Sequence, residues 1–242
     1  MSFYGGFPKY VSVAERKEQA LESIEKLRLK NPDIAPVVVT GKSLTRTWWG
    51  KSWNVNLESY ADYTNRISRG RAYVRNGAVL DLQIKEGTVR AQVQGSGSKP
   101  YQITIAIIPL AQKNWETLTK ECAGKIDSLQ ELIEGKFPKG LSELFTAKGK
   151  GLFPAPREIS LKCNCPDGAK MCKHLAAVLY GVGVRLDDDP TLFFKLRGVN
   201  VEALISETIT KQTNALLEKS KTKSRRVMED TDVSDMFGID LD

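Results

Sequence analysis

The chain holds a single histidine and four cysteines among its 242 residues, and that histidine stands two positions after one of the cysteines. Cys163, Cys165, Cys172 and His174 follow the spacing C-x-C-x6-C-x-H. Three thiolates and one imidazole complete a tetrahedron around a divalent ion such as zinc, and a complete tetrahedron leaves no open position for a substrate. One structural Zn2+ is therefore the expected cofactor. The competing reading, buried thiols beside a satisfied histidine, must explain why the sole histidine falls inside the cysteine cluster.

Such a centre dictates local geometry. Ile159, Leu161, Cys163 and Cys165 alternate, so a short strand points them to one face. Cys172 and His174 are about 200° apart around a helix axis. Both meet one ion only if Cys172 precedes the helix and His174 occupies its first turn. The next residues, Leu175 to Val182, are apolar nearly all round, which predicts burial on several sides. The finger, placed within 158–185, is thus expected inside a larger core. Cys122 stands apart and reads as a small buried hydrophobe.

The rest of the chain reads as α+β. Residues 1–36 form an N-terminal segment with one helix over Val13–Leu29, residues 37–218 an α+β core, and residues 219–242 a flexible charged tail. Val37–Val39 is a short strand candidate. Thr47 caps a helix over Trp48–Asp62 with Trp49, Trp53, Leu57 and Tyr60 on one stripe, leaving Trp48 off it as a surface candidate. Asn76-Gly77 is a hairpin signal joining Arg71–Arg75 to Ala78–Lys85. With Thr88–Gln94 and Tyr101–Ile108 these predict a four-stranded antiparallel meander. The C-terminal half reads as mostly helical, over Ala111–Cys122, Ile126–Glu134, Leu141–Thr146, Pro190–Leu196 and Val201–Leu217.

Charge is segregated. The net charge is +7, yet residues 229–242 carry six acids and no base. Lys42–Arg75 holds seven bases against two acids, and Lys136–Lys173 eight against three. A basic surface of this kind suits an anionic partner, DNA or RNA. The candidate contacts are Arg69, Arg71, Tyr73, Arg75 and Arg90 around the meander, the first of them extending the patch, and Lys162, Lys170 and Lys173 beside the metal ligands. An ordinary solvated face is the plainer reading of the same residues. Val233–Asp242 mixes acids with apolar residues, as a partner-binding segment, a solubilising end or a cover for the chain's own basic surface does.

The run from Cys163-Asn164-Cys165-Pro166-Asp167 to Cys172-Lys173-His174-Leu175-Ala176-Ala177-Val178-Leu179-Tyr180 resembles a SWIM-type zinc finger. The wider chain, over roughly Phe7–Ile205, is similar to a bacterial SWIM-domain family. Thr47–Trp53, Ser68–Gly77, Gly151–Pro154 and Leu192–Gly198 carry that likeness. Members often have tryptophan where Gly168 stands here. The resemblance implies a zinc-dependent DNA- or protein-binding module associated with Swi/Snf-type ATPases.

The expected function is a non-catalytic, zinc-stabilised nucleic-acid-binding accessory of such an ATPase. The alternative is a protein–protein adaptor whose zinc is purely structural. An enzyme is disfavoured, because the only histidine is committed to metal and no phosphate loop or nucleophile motif occurs. Asp187-Asp188-Asp189 before Pro190 reads as helix capping. No small-molecule substrate is expected. The absence of a long apolar run and of a signal-like N-terminus predicts no membrane span and a cytoplasmic location, where thiols stay reduced.

Overall fold

The computed structural model describes residues 12–59, 64–97, 99–122, 125–126, 129–202, 206, 210, 213–214 and 217–218. Most of the helix expected over 201–217, and all of 219–242, lie outside them.

Ser12 opens α1 (Val13–Arg28) with a capping box, its hydroxyl accepting from Glu15 N while the Glu15 carboxylate accepts from Ser12 N. Helix α1 is held loosely, with Ala20 its buried residue. The segment after it does not form the short strand expected at Val37–Val39. Two backbone bonds still dock it beside β1 (Val79–Lys85): Leu82 N donates to Ala35 O at 2.9 Å and Val37 N to Val79 O at 3.1 Å.

Helix α2 (Trp48–Glu58) starts at Thr47, whose side chain accepts from Gly50 N as expected. Trp49 and Trp53 are buried, and their indole N–H groups donate to Leu132 O and Leu179 O, both at 2.8 Å. Leu57 continues the buried stripe, and Tyr60 lies outside the described residues. Trp48 is not a surface residue awaiting a base. It is half-buried, edge-on to Phe137 at 4.9 Å and to Phe153 at 6.0 Å.

The largest departure from the expected order follows. Arg71–Arg75 is not a strand but the last turn of α3 (Thr64–Arg75). Ile67, Gly70 and Val74 form a buried stripe at helical spacing, and this outweighs the alternation of Arg71, Tyr73 and Arg75. Asn76-Gly77 supplies positive φ, but the chain spends it on ending a helix. Gly77 sits at φ 70°, and Asn76 N, Gly77 N and Ala78 N turn back to carbonyls of Ala72, Val74 and Tyr73.

The sheet is antiparallel and four-stranded in the order β1, β2 (Thr88–Val93), β3 (Tyr101–Ile107), β4 (Ile159–Cys163). Its fourth strand is therefore the metal-ligand strand, with Ile103 opposite Cys163, Ile105 opposite Leu161 and Ile107 opposite Ile159. A register shift between Val79 and Asp81 buries both Val79 and Leu80. Between β3 and β4 run α4 (Gln112–Cys122), α5 (Leu129–Glu134) and α6 (Lys139–Thr146). Cys122 is fully buried at the end of α4.

Helix α7 (Lys173–Asp188) lies across the inner sheet face between α2 and α3, and α8 (Thr191–Leu196) closes the core. Residues His174 to Val184 are all buried, so this helix, which carries the last residue of the Cys/His cluster, is the centre of the molecule. At the crossing of α3 and α7, a Cβ on Gly70 would lie 2.5 Å from Ala176 Cβ, so only glycine permits the approach. The aspartate run does cap helices, but two different ones. Asp189 accepts from Thr191 N and its hydroxyl at the start of α8, while Asp187 reaches back to the start of α2. No helix among the described residues is long and apolar enough to cross a membrane.

Candidate metal centre

Each ligand arrives on a different piece of local structure. Cys163 ends β4. Asn164 extends the ladder one step, with its N–H on Gln102 O at 3.3 Å and its side-chain oxygen accepting from Gln102 N at 2.9 Å, and so Cys165 follows in register. Asp167 then turns the chain: Oδ1 accepts from Ala169 N at 3.3 Å and Oδ2 accepts from Arg66 Nη1 at 2.6 Å. Cys172 is the N-cap of α7, its sulfur accepting from Leu175 N at 3.5 Å, and His174 sits in the first turn. That is the geometry the two-residue spacing demanded. A helix N-terminus also favours negative charge on the capping sulfur.

The four ligand atoms lie within 4.8 Å of one another. Cys172 Sγ and Cys163 Sγ stand 3.8 Å and 4.0 Å from His174 Nδ1. A tetrahedral zinc with standard bond lengths has edges of about 3.5–3.8 Å. The cluster is therefore already close to the size of a four-coordinate ion, and the four residues can hold one metal ion.

The imidazole is prepared for this role. His174 is 3% exposed, and its ring lies 4.4 Å from that of Tyr101 and 5.4 Å edge-on from that of Tyr73. Burial, with the Lys173 charge adding to it, pushes its pKa down to about 4, so the ring is neutral near pH 7 and free to ligate through Nδ1. Its other nitrogen, Nε2, is buried and has no hydrogen-bond partner among the described residues. Burial pushes the Cys163 thiol up to about 12 and raises that of Cys172, so metal binding must displace protons from them.

The candidate nucleic-acid contacts divide. Arg90 and Lys162 are exposed on the outer sheet face, in one cross-strand row through Thr104. Lys170 and Arg69 are exposed near the ligands, and Lys173 lies 5.8 Å over the half-buried Tyr73 ring. Burial and the Arg69 charge lower the pKa of Lys173. Arg71, Tyr73 and Arg75 lie on α3 and not on the sheet face. Arg71 pairs with Glu58 and donates from Nε to Tyr180 OH at 2.9 Å, and Arg75 Nη2 donates to Lys42 O at 2.7 Å. Arg66, three residues before Arg69 on α3, anchors the loop between Cys165 and Cys172. Its only sequence signal was its place in a basic run.

No family model matches the chain, and no solved structure matches it. It is 37% identical over 168 residues to the uncharacterized protein Rv2102 of Mycobacterium tuberculosis. That match covers 69% of this chain and 60% of the relative, so the chain spans less than two thirds of the relative's length.

Proposed function

We propose that the chain is a non-catalytic, zinc-stabilised module that binds nucleic acid, DNA or RNA, in the cytoplasm as an accessory to a Swi/Snf-type ATPase. The ring of cations around the Cys/His cluster carries this reading. Lys162 precedes Cys163, Lys170 lies two residues before Cys172, Lys173 separates Cys172 from His174, and Arg69 is close enough to lower the pKa of both Lys173 and His174. A zinc ion with three thiolates has a net charge of −1. Arg69, Lys170 and Lys173 on its own side outweigh that charge, and Lys162 adds an exposed cation on the outer sheet face, enough together to draw phosphate. Arg90 continues the surface across the sheet. Arg90 and Lys162 are two strands apart, roughly 10 Å, a separation that suits contacts to neighbouring phosphates of a flexible strand. The zinc holds the surface in shape and takes no part in chemistry. The partner ATPase is carried by the resemblance alone.

The test is fluorescence anisotropy of zinc-loaded protein with single- and double-stranded DNA and RNA at two salt concentrations. Three or four phosphate contacts weaken binding on the order of a hundredfold between about 50 and 200 mM salt. Binding that is absent at low salt overturns the reading and favours the alternative, a protein–protein adaptor. One observation supports that alternative: β4 is an edge strand of the sheet, and the 35–37 segment that docks on β1 leaves β4 open.

A further inference from the structure

The edge of β4 has features that a nucleic-acid surface does not use. Ile108 N donates to Glu158 O, and Asn164 N to Gln102 O, so the ladder places the backbones of Ser160 and Lys162 towards β3. Ile107 N, directed to Gly87 O, fixes the same parity on the other side of β3. The N–H and C=O groups of Leu161 and the N–H of Cys163 then point away from the sheet. No strand among the described residues lies beyond them. Beside this edge, on the inner side, Trp53, Leu57, Ile159, Leu161 and Leu179 line an apolar pocket. On the outer side stands the exposed Lys162. An edge of this kind calls for a strand with apolar residues on one face and acids on the other.

The chain contains one. In Phe237-Gly238-Ile239-Asp240-Leu241-Asp242, Phe237, Ile239 and Leu241 fall on one face at period two, and Asp240 and Asp242 on the other. The path there is short. Arg197, 1% exposed, donates from Nη2 to Glu158 Oε1 at 3.0 Å, so the chain leaves α8 beside the residue that precedes β4. Residues 206, 210, 213–214 and 217–218 are helical, and residues 219–236 then precede Phe237. A run of that length reaches at most about 60 Å, ample for a five-residue strand of roughly 17 Å.

We propose that residues 237–242 pair with β4 as a fifth strand of the same sheet. Phe237, Ile239 and Leu241 then face the pocket, and Asp240 and Asp242 lie beside Lys162. The backbone supplies the affinity and the alternation supplies the register. This assignment is independent of any nucleic-acid binding.

The test follows amide exchange residue by residue, by NMR, on the zinc-loaded full-length chain and on the double variant Ile239→Asp, Leu241→Asp. The substitutions lie outside the described residues, and unchanged exchange at Ala91 and Ile105 confirms that the body is intact. The expected result is a loss of protection at Leu161 and Cys163 by about tenfold or more in the variant. Equal exchange in the two proteins overturns the proposal. Protection that survives in the variant and rises with protein concentration also overturns it, because a second copy then covers the edge.

Discussion

Arg66 of α3 donates to Asp167 Oδ2 at 2.6 Å, which fastens the loop between the second and third metal ligands to a helix 101 residues earlier in the chain. The same carboxylate shapes the loop through Ala169 N. Partners of this kind hold ligands in position, and their loss typically weakens metal binding by roughly tenfold or more. Arg66→Ala should therefore release zinc more readily in competition with a chromophoric chelator. Arg69→Ala, a few residues along the same helix, should leave zinc retention unchanged and weaken nucleic-acid binding. If both variants retain zinc equally, the Arg66–Asp167 pair does not position the ligands.

Removal of the metal should be felt well beyond the ligands. Cys172 and His174 begin α7, and buried residues of α7 pack against α2, α3 and all four strands. Without the ion, Cys163 and Cys172 are protonated thiols beside a buried imidazole, and the metal's tie between the start of α7 and β4 is gone. Chelation should lower the melting temperature steeply and remove part of the helical circular dichroism, with both recovering on addition of Zn2+. An independent bead would unfold alone and leave the main transition in place.

The clustering of Cys163, Cys165, Cys172 and His174, the N-cap role of Cys172 and the burial of α7 were legible in the sequence, because each follows from spacing over a few residues. The faces of β2 and β3 were legible for the same reason. The membership of β4 in their sheet was not. Its partner β3 ends at Ile107 and β4 begins at Ile159, and no local pattern encodes a pairing across the three helices between them. The strand assigned to Arg71–Arg75 failed through a real ambiguity. Alternating Arg71, Tyr73 and Arg75 competes with the helical stripe of Ile67, Gly70 and Val74, and Asn-Gly serves a hairpin or a helix end equally well. Trp48 was misplaced because its aromatic partners Phe137 and Phe153 are remote in sequence.

Asp187 connects two helices. It accepts from Thr47 N at 3.1 Å and from the Thr47 hydroxyl at 2.7 Å, and also from Arg46 N. It therefore satisfies N–H groups at the start of α2 from the far end of α7. Asp187→Ala should cost about 1–2 kcal/mol of stability, as a lost helix cap does, and leave zinc stoichiometry at one. Denaturant unfolding together with a metal assay separates the two effects.

Cys122 gives a dependence on alkaline pH. Burial pushes its thiol up from 9.0 to about 12, so the unfolded chain loses this proton at a lower pH than the folded one. Stability from this group is complete below pH 9 and falls as pH rises from 9 towards 12. The slope approaches about 1.4 kcal/mol per pH unit. In Cys122→Ala that part of the slope should vanish, although the variant is less stable at neutral pH because of the cavity it leaves. Parallel slopes for the two proteins in denaturant titrations would show that the thiol is not held in the protonated form.

Gly95 tests how the histidine is aimed. A Cβ at this position would lie 2.3 Å from Tyr101 Cε2 and 3.2 Å from His174 Nε2. The Tyr101 ring is packed 4.4 Å from the imidazole, so it can give way only by pressing on the ligand. Gly95→Ala should destabilise the folded protein by about 1–3 kcal/mol, as overpacking does. It should also weaken zinc binding, because His174 reaches the sulfurs through Nδ1 only while its ring keeps this orientation. Tyr101→Ala in the same background relieves the clash, and it should recover zinc affinity even though it removes packing. Cobalt substitution reads the outcome directly, since the ligand-field bands report the tetrahedral N/S donor set. If Gly95→Ala shows unchanged bands and an unchanged zinc affinity, then Tyr101 and Gly95 do not set the orientation of His174. Partial loss restored by the double variant establishes that the contact from Gly95 through Tyr101 aims the imidazole.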